Sequence, residues 1–148
     1  MHHNYFKRVI YVGCALTTAT DKLKTDVGRL KTALRDDYHV LDFIGLVNGT
    51  PTDVYRWDIH RCVATCELLI AICDESATGL GYEMGVAVEK RGIPVIAVAH
   101  SSAKVTRLVV GVDHPRYQFL RCDDILDLLP LVGRMLPANQ QSVFSFLV

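Results

Sequence analysis

The chain has no surplus of either charge: 16 lysines and arginines stand against 16 aspartates and glutamates in 148 residues. Proteins that bind nucleic acid or anionic membranes usually carry a basic excess or stripe, so this balance excludes a nucleic-acid polymer or a lipid surface as the main partner. No apolar run approaches the roughly 18 to 20 residues of a membrane span, and the first residues lack the apolar core of a secretory signal. A cytoplasmic protein is therefore expected. Proline is sparse, and no Gly/Ser/Pro-rich linker or internal repeat divides the chain. One domain over residues 1–148 is expected, with about 137–148 as a C-terminal tail. His2 and His3 are left out of site reasoning.

Cysteine is present but odd in number: Cys14, Cys62, Cys66, Cys73 and Cys122. Most lie inside apolar segments, which fits reduced core thiols rather than a disulfide framework. Cys62 and Cys66 sit four apart near His60, but no second ligand pair has zinc-like spacing, so no metal site is expected. No motif implies a cofactor.

Half of the residues are apolar, and they fall in short blocks. Arg8 to Gly13 reads as a first strand, followed by a helix capped by Thr20 or Asp21 and running to about Asp36, with Val27, Leu30, Ala33 and Leu34 as its apolar stripe. Arg29, Lys31 and Arg35 read as a solvated face of that helix. Val40 to Ile44 is a second strand, Asn48 to Thr52 a loop, and Asp53 to Thr65 a second helix. Leu68 to Cys73 is an uninterrupted apolar strand, as expected when both faces are buried. Asp74 to Gly81 supplies turn residues, Tyr82 to Arg91 a helix, and Ile93 to Ala99 the next strand. A short helix near Lys104 to Val109, a strand from Tyr117 to Cys122 and a helix from Asp123 to Met135, kinked by Pro130, complete the chain. Five strands alternating with helices predict an α/β three-layer sandwich with a mainly parallel sheet in flavodoxin-like, Rossmann-like order.

Within the central βαβ unit one carboxylate stands out. Glu83 falls in the first turn of the helix expected from Tyr82, at the carboxyl end of a parallel strand, where open α/β sheets bind ligands. Gly79 and Gly81 would let a ligand approach the backbone. The bland alternative is an acid that merely complements the helix dipole.

Two segments together resemble the nucleoside 2-deoxyribosyltransferase family and its relatives, the 2'-deoxynucleoside 5'-phosphate N-hydrolases. Ile10-Tyr11-Val12-Gly13-Cys14-Ala15 resembles the family's first strand with its site tyrosine, and Gly79-Leu80-Gly81-Tyr82-Glu83-Met84-Gly85-Val86-Ala87 resembles the segment with its nucleophilic glutamate. Asp58, 25 residues ahead of Glu83, matches a family aspartate. The resemblance implies an enzyme that cleaves an N-glycosidic bond of a nucleoside or nucleotide through a glycosyl-glutamate intermediate and passes the sugar to a second base. In the hydrolase alternative, water takes the sugar from a nucleoside monophosphate. An NAD glycohydrolase and an inactive nucleotide-sensing domain are the remaining alternatives.

On this reading Glu83 is the nucleophile, held ionised by the helix N-terminus. Asp58 holds sugar hydroxyls or manages the proton of the departing base, against a plain role as an exposed charge or an Arg61 partner. Tyr11 orients the glutamate, or simply packs. Six residues before the glutamate, transferases of the family carry an aspartate and nucleotide hydrolases a phosphate-binding serine, whereas this chain has Ala77. Ser76 and Thr78 flank it as phosphate candidates. Gly13 joins Gly79 and Gly81 as a substrate-binding position. The family completes its pocket with a loop from a neighbouring subunit, so a homodimer or larger homo-oligomer is expected, with His114 or Arg116 reaching across.

Overall fold

The computed structural model describes residues 6–42 and 49–139. Five parallel strands, β1 (Val9–Cys14), β2 (His39–Leu41), β3 (Leu68–Ile72), β4 (Val95–Ala99) and β5 (Tyr117–Arg121), form one sheet in the order β2-β1-β3-β4-β5. The flavodoxin-like order expected from the element sequence is the one observed.

Both faces of the sheet are covered, which is why its strands are nearly all apolar. Side chains alternate along each strand. Ile10, Val12, Leu68, Ile70, Ile72, Ile96 and Val98 point into one core. There they meet Leu23, Val27, Leu30 and Leu34 of α1 (Asp21–Leu34) and Val132 of α5 (Leu129–Met135). Tyr11, Leu69, Ala71, Val95 and Ala97 point into the other. That layer is closed by two helices which each widen from α to π geometry. The first, α2 (Pro51–Tyr55), continues as a π-helical stretch, Arg56–Val63. The second, α3 (Thr78–Gly85), continues through Val86–Arg91 and stops at Gly92, whose φ of 62° places it in the left-handed conformation that glycine adopts freely at a helix end.

Several boundaries differ from the sequence expectation. α2 begins at Pro51, because Thr50 and Asp53 form a reciprocal capping box and proline suits the first helical position. α4 is only Arg107–Val110. Pro130 sits in the first turn of α5, one residue after its start, instead of kinking a longer helix: Asp124 caps a 3-10 turn, Ile125–Leu128, which delivers the chain to it. The predicted second strand ends at Leu41, and its expected residues Phe43 and Ile44 lie outside the described residues, as does the tail from Gln140. Cys62, Cys66 and Cys73 are buried free thiols, as expected of core cysteines. Among the described residues, no helix is long and apolar enough to cross a membrane.

Candidate active site

The chain leaves β1 toward β2 on one side and returns to β3 on the other, so a crevice opens beyond the carboxyl ends of β1 and β3. A cavity of about 310 Å³ occupies it, lined by the end of β1 from Tyr11 to Cys14, the Leu16–Thr18 loop and the start of α3. Glu83 lies in its wall. A larger cavity, about 430 Å³, opens over β4 and β5, but it is lined by Asp26, Asp74, Glu75 and Asp123 and holds none of the buried carboxylates.

Glu83 does not sit in a first helical turn. α3 begins at Thr78, after Ala77 in extended conformation, so the glutamate is the helix's sixth residue. The glycines suggested a loop, but Leu80, Glu83 and Met84 share a buried face at helical spacing, and that packing extends the helix across them. Away from the positive end of the dipole, Glu83 is not held ionised by the helix.

What surrounds it has the opposite effect. Glu83 and Asp58 are each only 8% exposed, the two buried charged residues among those described. Asp58 reaches this position because the π-helical stretch turns Asp58, Ile59, Cys62 and Val63 inward together, an arrangement frequent at functional sites. The plain alternatives for Asp58 fail: it is not exposed, and Arg61 instead stacks over the Trp57 ring, 4.9 Å from its centroid. Burial, then the neighbouring Asp58 charge and the hydrogen bond between the two carboxyl groups, push Glu83 up to about 8. Burial raises Asp58 as well, while the bond to Glu83 opposes the rise. Two carboxyl groups this close cannot both ionise readily, so the pair shares a proton near neutrality. Asp58 Oδ1 is buried without a hydrogen-bond partner among the described residues.

Tyr11, 1% exposed, donates its hydroxyl to Glu83 Oε1 at 3.3 Å. Burial and the adjacent Glu83 raise its pKa, so it stays a donor. Gly13, two residues on and on the same face of β1, is where lack of a side chain matters: a Cβ there would stand 2.9 Å from Leu80 Cδ1 and 3.1 Å from Glu83 Oε2. Gly79 and Gly81 meet no such crowding.

Ser76, Thr78 and Gly79 line the same cavity, whereas Gly81 faces an adjoining one of about 280 Å³. Ala77, at the N-cap of α3, offers no side-chain acceptor, which leaves the first turn, whose Thr78 and Gly79 line the cavity, without a side-chain cap. His114 and Arg116 are not brought to this site. They precede β5 and lie at the amino edge of the sheet, where the Arg116 guanidinium donates to the Gly92 carbonyl at 2.9 Å. A contribution from them would have to come from a second copy of the chain.

Sequence reasoning missed Lys31. It reads as solvated, yet its side chain is 17% exposed and lines the cavity. Arg29 and Arg35 are the surface residues of that group, paired with Asp26 and Asp42. A helix period cannot reveal that a lysine one face away from the core stripe bends back over the strand edge.

No protein-family model matches the chain. Over 79 residues, 53% of this chain and 54% of the relative, it is 29% identical to a protein of Syntrophotalea carbinolica provisionally named 2'-deoxynucleoside 5'-phosphate N-hydrolase 1, so the match spans about half of that curated relative's length. Among solved structures, a 2-desoxiribosyltransferase from Leishmania mexicana superposes with a TM-score of 0.62 at 12% identity, covering 86% of this chain and 97% of that one. The CMP N-glycosidase of Clostridium botulinum superposes with a TM-score of 0.64 at 16% identity, covering 83% and 99%. The resemblance to the nucleoside 2-deoxyribosyltransferase family and its N-hydrolase relatives, first carried by Tyr11 and the Gly79–Ala87 segment, is thus borne out in fold over most of the chain and in sequence over about half of it.

Proposed function

We propose that the chain is an N-glycosidase of nucleoside 5'-monophosphates, with Glu83 as nucleophile and water as the final acceptor. The buried Glu83–Asp58–Tyr11 cluster, of which Glu83 and Tyr11 line a cavity at the carboxyl ends of β1 and β3 with Asp58 behind them, carries this reading. Breaking the bond between C1' and the base develops oxocarbenium character at C1', which an adjacent carboxylate stabilises and then captures. As positive charge grows beside Glu83, the shared proton is best held by Asp58, so Glu83 reacts as the carboxylate. Its oxygen bonds to C1', the base nitrogen keeps the electron pair of the broken bond, and water later displaces the glutamate from C1' to give the free sugar phosphate. The Tyr11 bond fixes Oε1 and leaves Oε2 over Gly13 at the cavity.

The start of α3 is the phosphate end. Uncapped first-turn N–H groups beside the Ser76 and Thr78 hydroxyls suit an anion, and an alanine at position 77 places no competing carboxylate there. The names of two relatives point the same way, one a 2'-deoxynucleoside 5'-phosphate N-hydrolase and the other a CMP N-glycosidase. Transfer of the sugar to a second base remains the other reading, favoured by the fold shared with the Leishmania mexicana transferase. Chromatography of free base released from deoxynucleosides and their 5'-monophosphates, with and without an acceptor base, separates the two. Release from monophosphates without acceptor supports hydrolysis. A new nucleoside formed only with acceptor makes the chain a transferase, and no release from any substrate overturns both.

A further inference from the structure

We infer that Lys31 is the nucleobase-reading residue of this site, its ammonium donating to an acceptor on the departing base. The inference rests on the N-glycosidase reading and adds to it a group that touches the leaving portion of the substrate.

Position comes first. β1 forms the floor of the cavity, with α3 on its β3 side and α1 and β2 on the other. If the phosphate lies at the first turn of α3 and C1' over Glu83, the base extends past β1 toward Leu16, Lys31 and Val54. Leu16 and Val54 offer apolar contact to a flat ring, and Lys31 is the one lysine or arginine among the described residues that line the cavity. Its charge acts on the Cys14 thiol in that wall, opposing the rise that burial causes there.

Its existing partner leaves it available. Lys31 Nζ stands 3.4 Å from Asp42 Oδ1, longer than the 2.7–2.9 Å of a strong charge-assisted bond. Asp42 is already engaged by Arg35, whose Nη2 lies 2.9 Å from both carboxylate oxygens. An ammonium has three donors and no acceptor, so a mostly covered lysine whose one contact among the described residues is long has donors left for a ligand. Carbonyl oxygens and unprotonated ring nitrogens of a nucleobase are such acceptors. When the C1'–N bond breaks, its electron pair stays on the base and spreads to those same atoms, so a hydrogen bond from Lys31 strengthens as the bond breaks. Lys31 donates a hydrogen bond and keeps its proton, and the base nitrogen takes its proton from solvent on release.

The test uses the full chain with Lys31→Met and Lys31→Arg, each first checked for an unchanged thermal midpoint. Base release is measured from uridine-type and 5-fluorouridine-type deoxynucleotides and from the corresponding nucleosides. Lys31→Met should lower kcat on the uracil substrate roughly ten- to a hundredfold, as expected for a lost bond to a charged donor. The loss should be several-fold smaller with 5-fluorouracil, a more stable anion needing less help, and the preference for monophosphate should persist. Lys31→Arg should recover much of the rate. Equal losses on both bases, or a loss confined to monophosphates, would overturn the inference, the second outcome making Lys31 a phosphate ligand. If the wild type releases no base from any substrate, the N-glycosidase reading has failed separately. Calorimetric titration of uracil and hypoxanthine then decides: binding weakened about tenfold in Lys31→Met upholds a base site, and equal binding removes it.

Discussion

Replacing Glu83 by glutamine should abolish base release and, at the same time, make the protein more stable above neutral pH. The folded chain pushes this carboxyl up to about 8 from an ordinary value of 4.5, chiefly by burial and then by the Asp58 charge. Its folded value lies above its unfolded one, so the folded state binds the proton more tightly. The stabilisation from that proton is fully present below the unfolded value and is lost as pH rises through about 8. Expressed as the penalty of ionising a buried group, the linkage amounts to about 1 kcal/mol at pH 5 and about 3 kcal/mol at pH 7, an upper bound because Asp58 shares the proton. Glutamine keeps the shape and a hydrogen-bonding partner for Tyr11 but has no charge to bury. Urea unfolding of wild type and Glu83→Gln at pH 5 and pH 8 measures the difference. The variant's advantage should grow by up to about 3 to 4 kcal/mol between them, on the order of ten degrees in Tm for a chain of this size. An advantage equal at both pH values, or a variant less stable at pH 8, would refute the picture of a strained buried carboxyl pair.

Other perturbations separate the roles within the cluster. Asp58→Asn removes the group that shares the proton and should slow base release by about 10²-fold or more, in the range of a lost general acid–base group, and a steady-state assay giving an unchanged rate would remove Asp58 from the chemistry. Tyr11→Phe deletes only the 3.3 Å bond to Glu83 Oε1, so kcat should fall about tenfold while KM barely moves. Gly13→Ala places a methyl group 3.1 Å from Glu83 Oε2. Leu80 can rotate away and limit the loss of stability to about 1 kcal/mol in denaturant melts, but base release should drop more than in Tyr11→Phe because the nucleophile itself is displaced.

The fold was legible because its signals are local and repeated. Apolar blocks such as Leu68–Ile72 and Val95–Ala99 can hardly be anything but strands buried on both faces, and the helical spacing of Val27, Leu30 and Leu34 marks a helix packed on them. Boundaries were misread where one residue type serves two purposes. Gly79 and Gly81 suggested a loop, but glycine in a first helical turn is tolerable when Leu80 and Met84 are buried on the same face. That shift of a few residues changed more than a label: it moved Glu83 away from the positive end of the helix dipole and left burial and the Asp58 charge to set the direction of its pKa.

The site shows the same division between what spacing encodes and what only packing decides. Glu83 was found from the βαβ pattern and Tyr11 and Asp58 through a resemblance, and the structure supplies what no spacing could, a single buried cluster in which the tyrosine donates to the glutamate and the aspartate raises its pKa. His114 and Arg116, expected to reach across from a neighbouring subunit, lie away from their own chain's cavity because residues preceding β5 fall on the edge of a parallel sheet opposite it. Lys31 was missed because its placement depends on packing that no spacing encodes. On a helical wheel it sits with Arg35 among surface charges, and its significance arises only where the end of β2 brings Asp42 beside it and the end of β1 opens the cavity beneath it. A lysine so placed is worth less to stability than a well-paired surface ion and more to a ligand that brings the missing acceptor, which is the physical argument for treating it as part of the site.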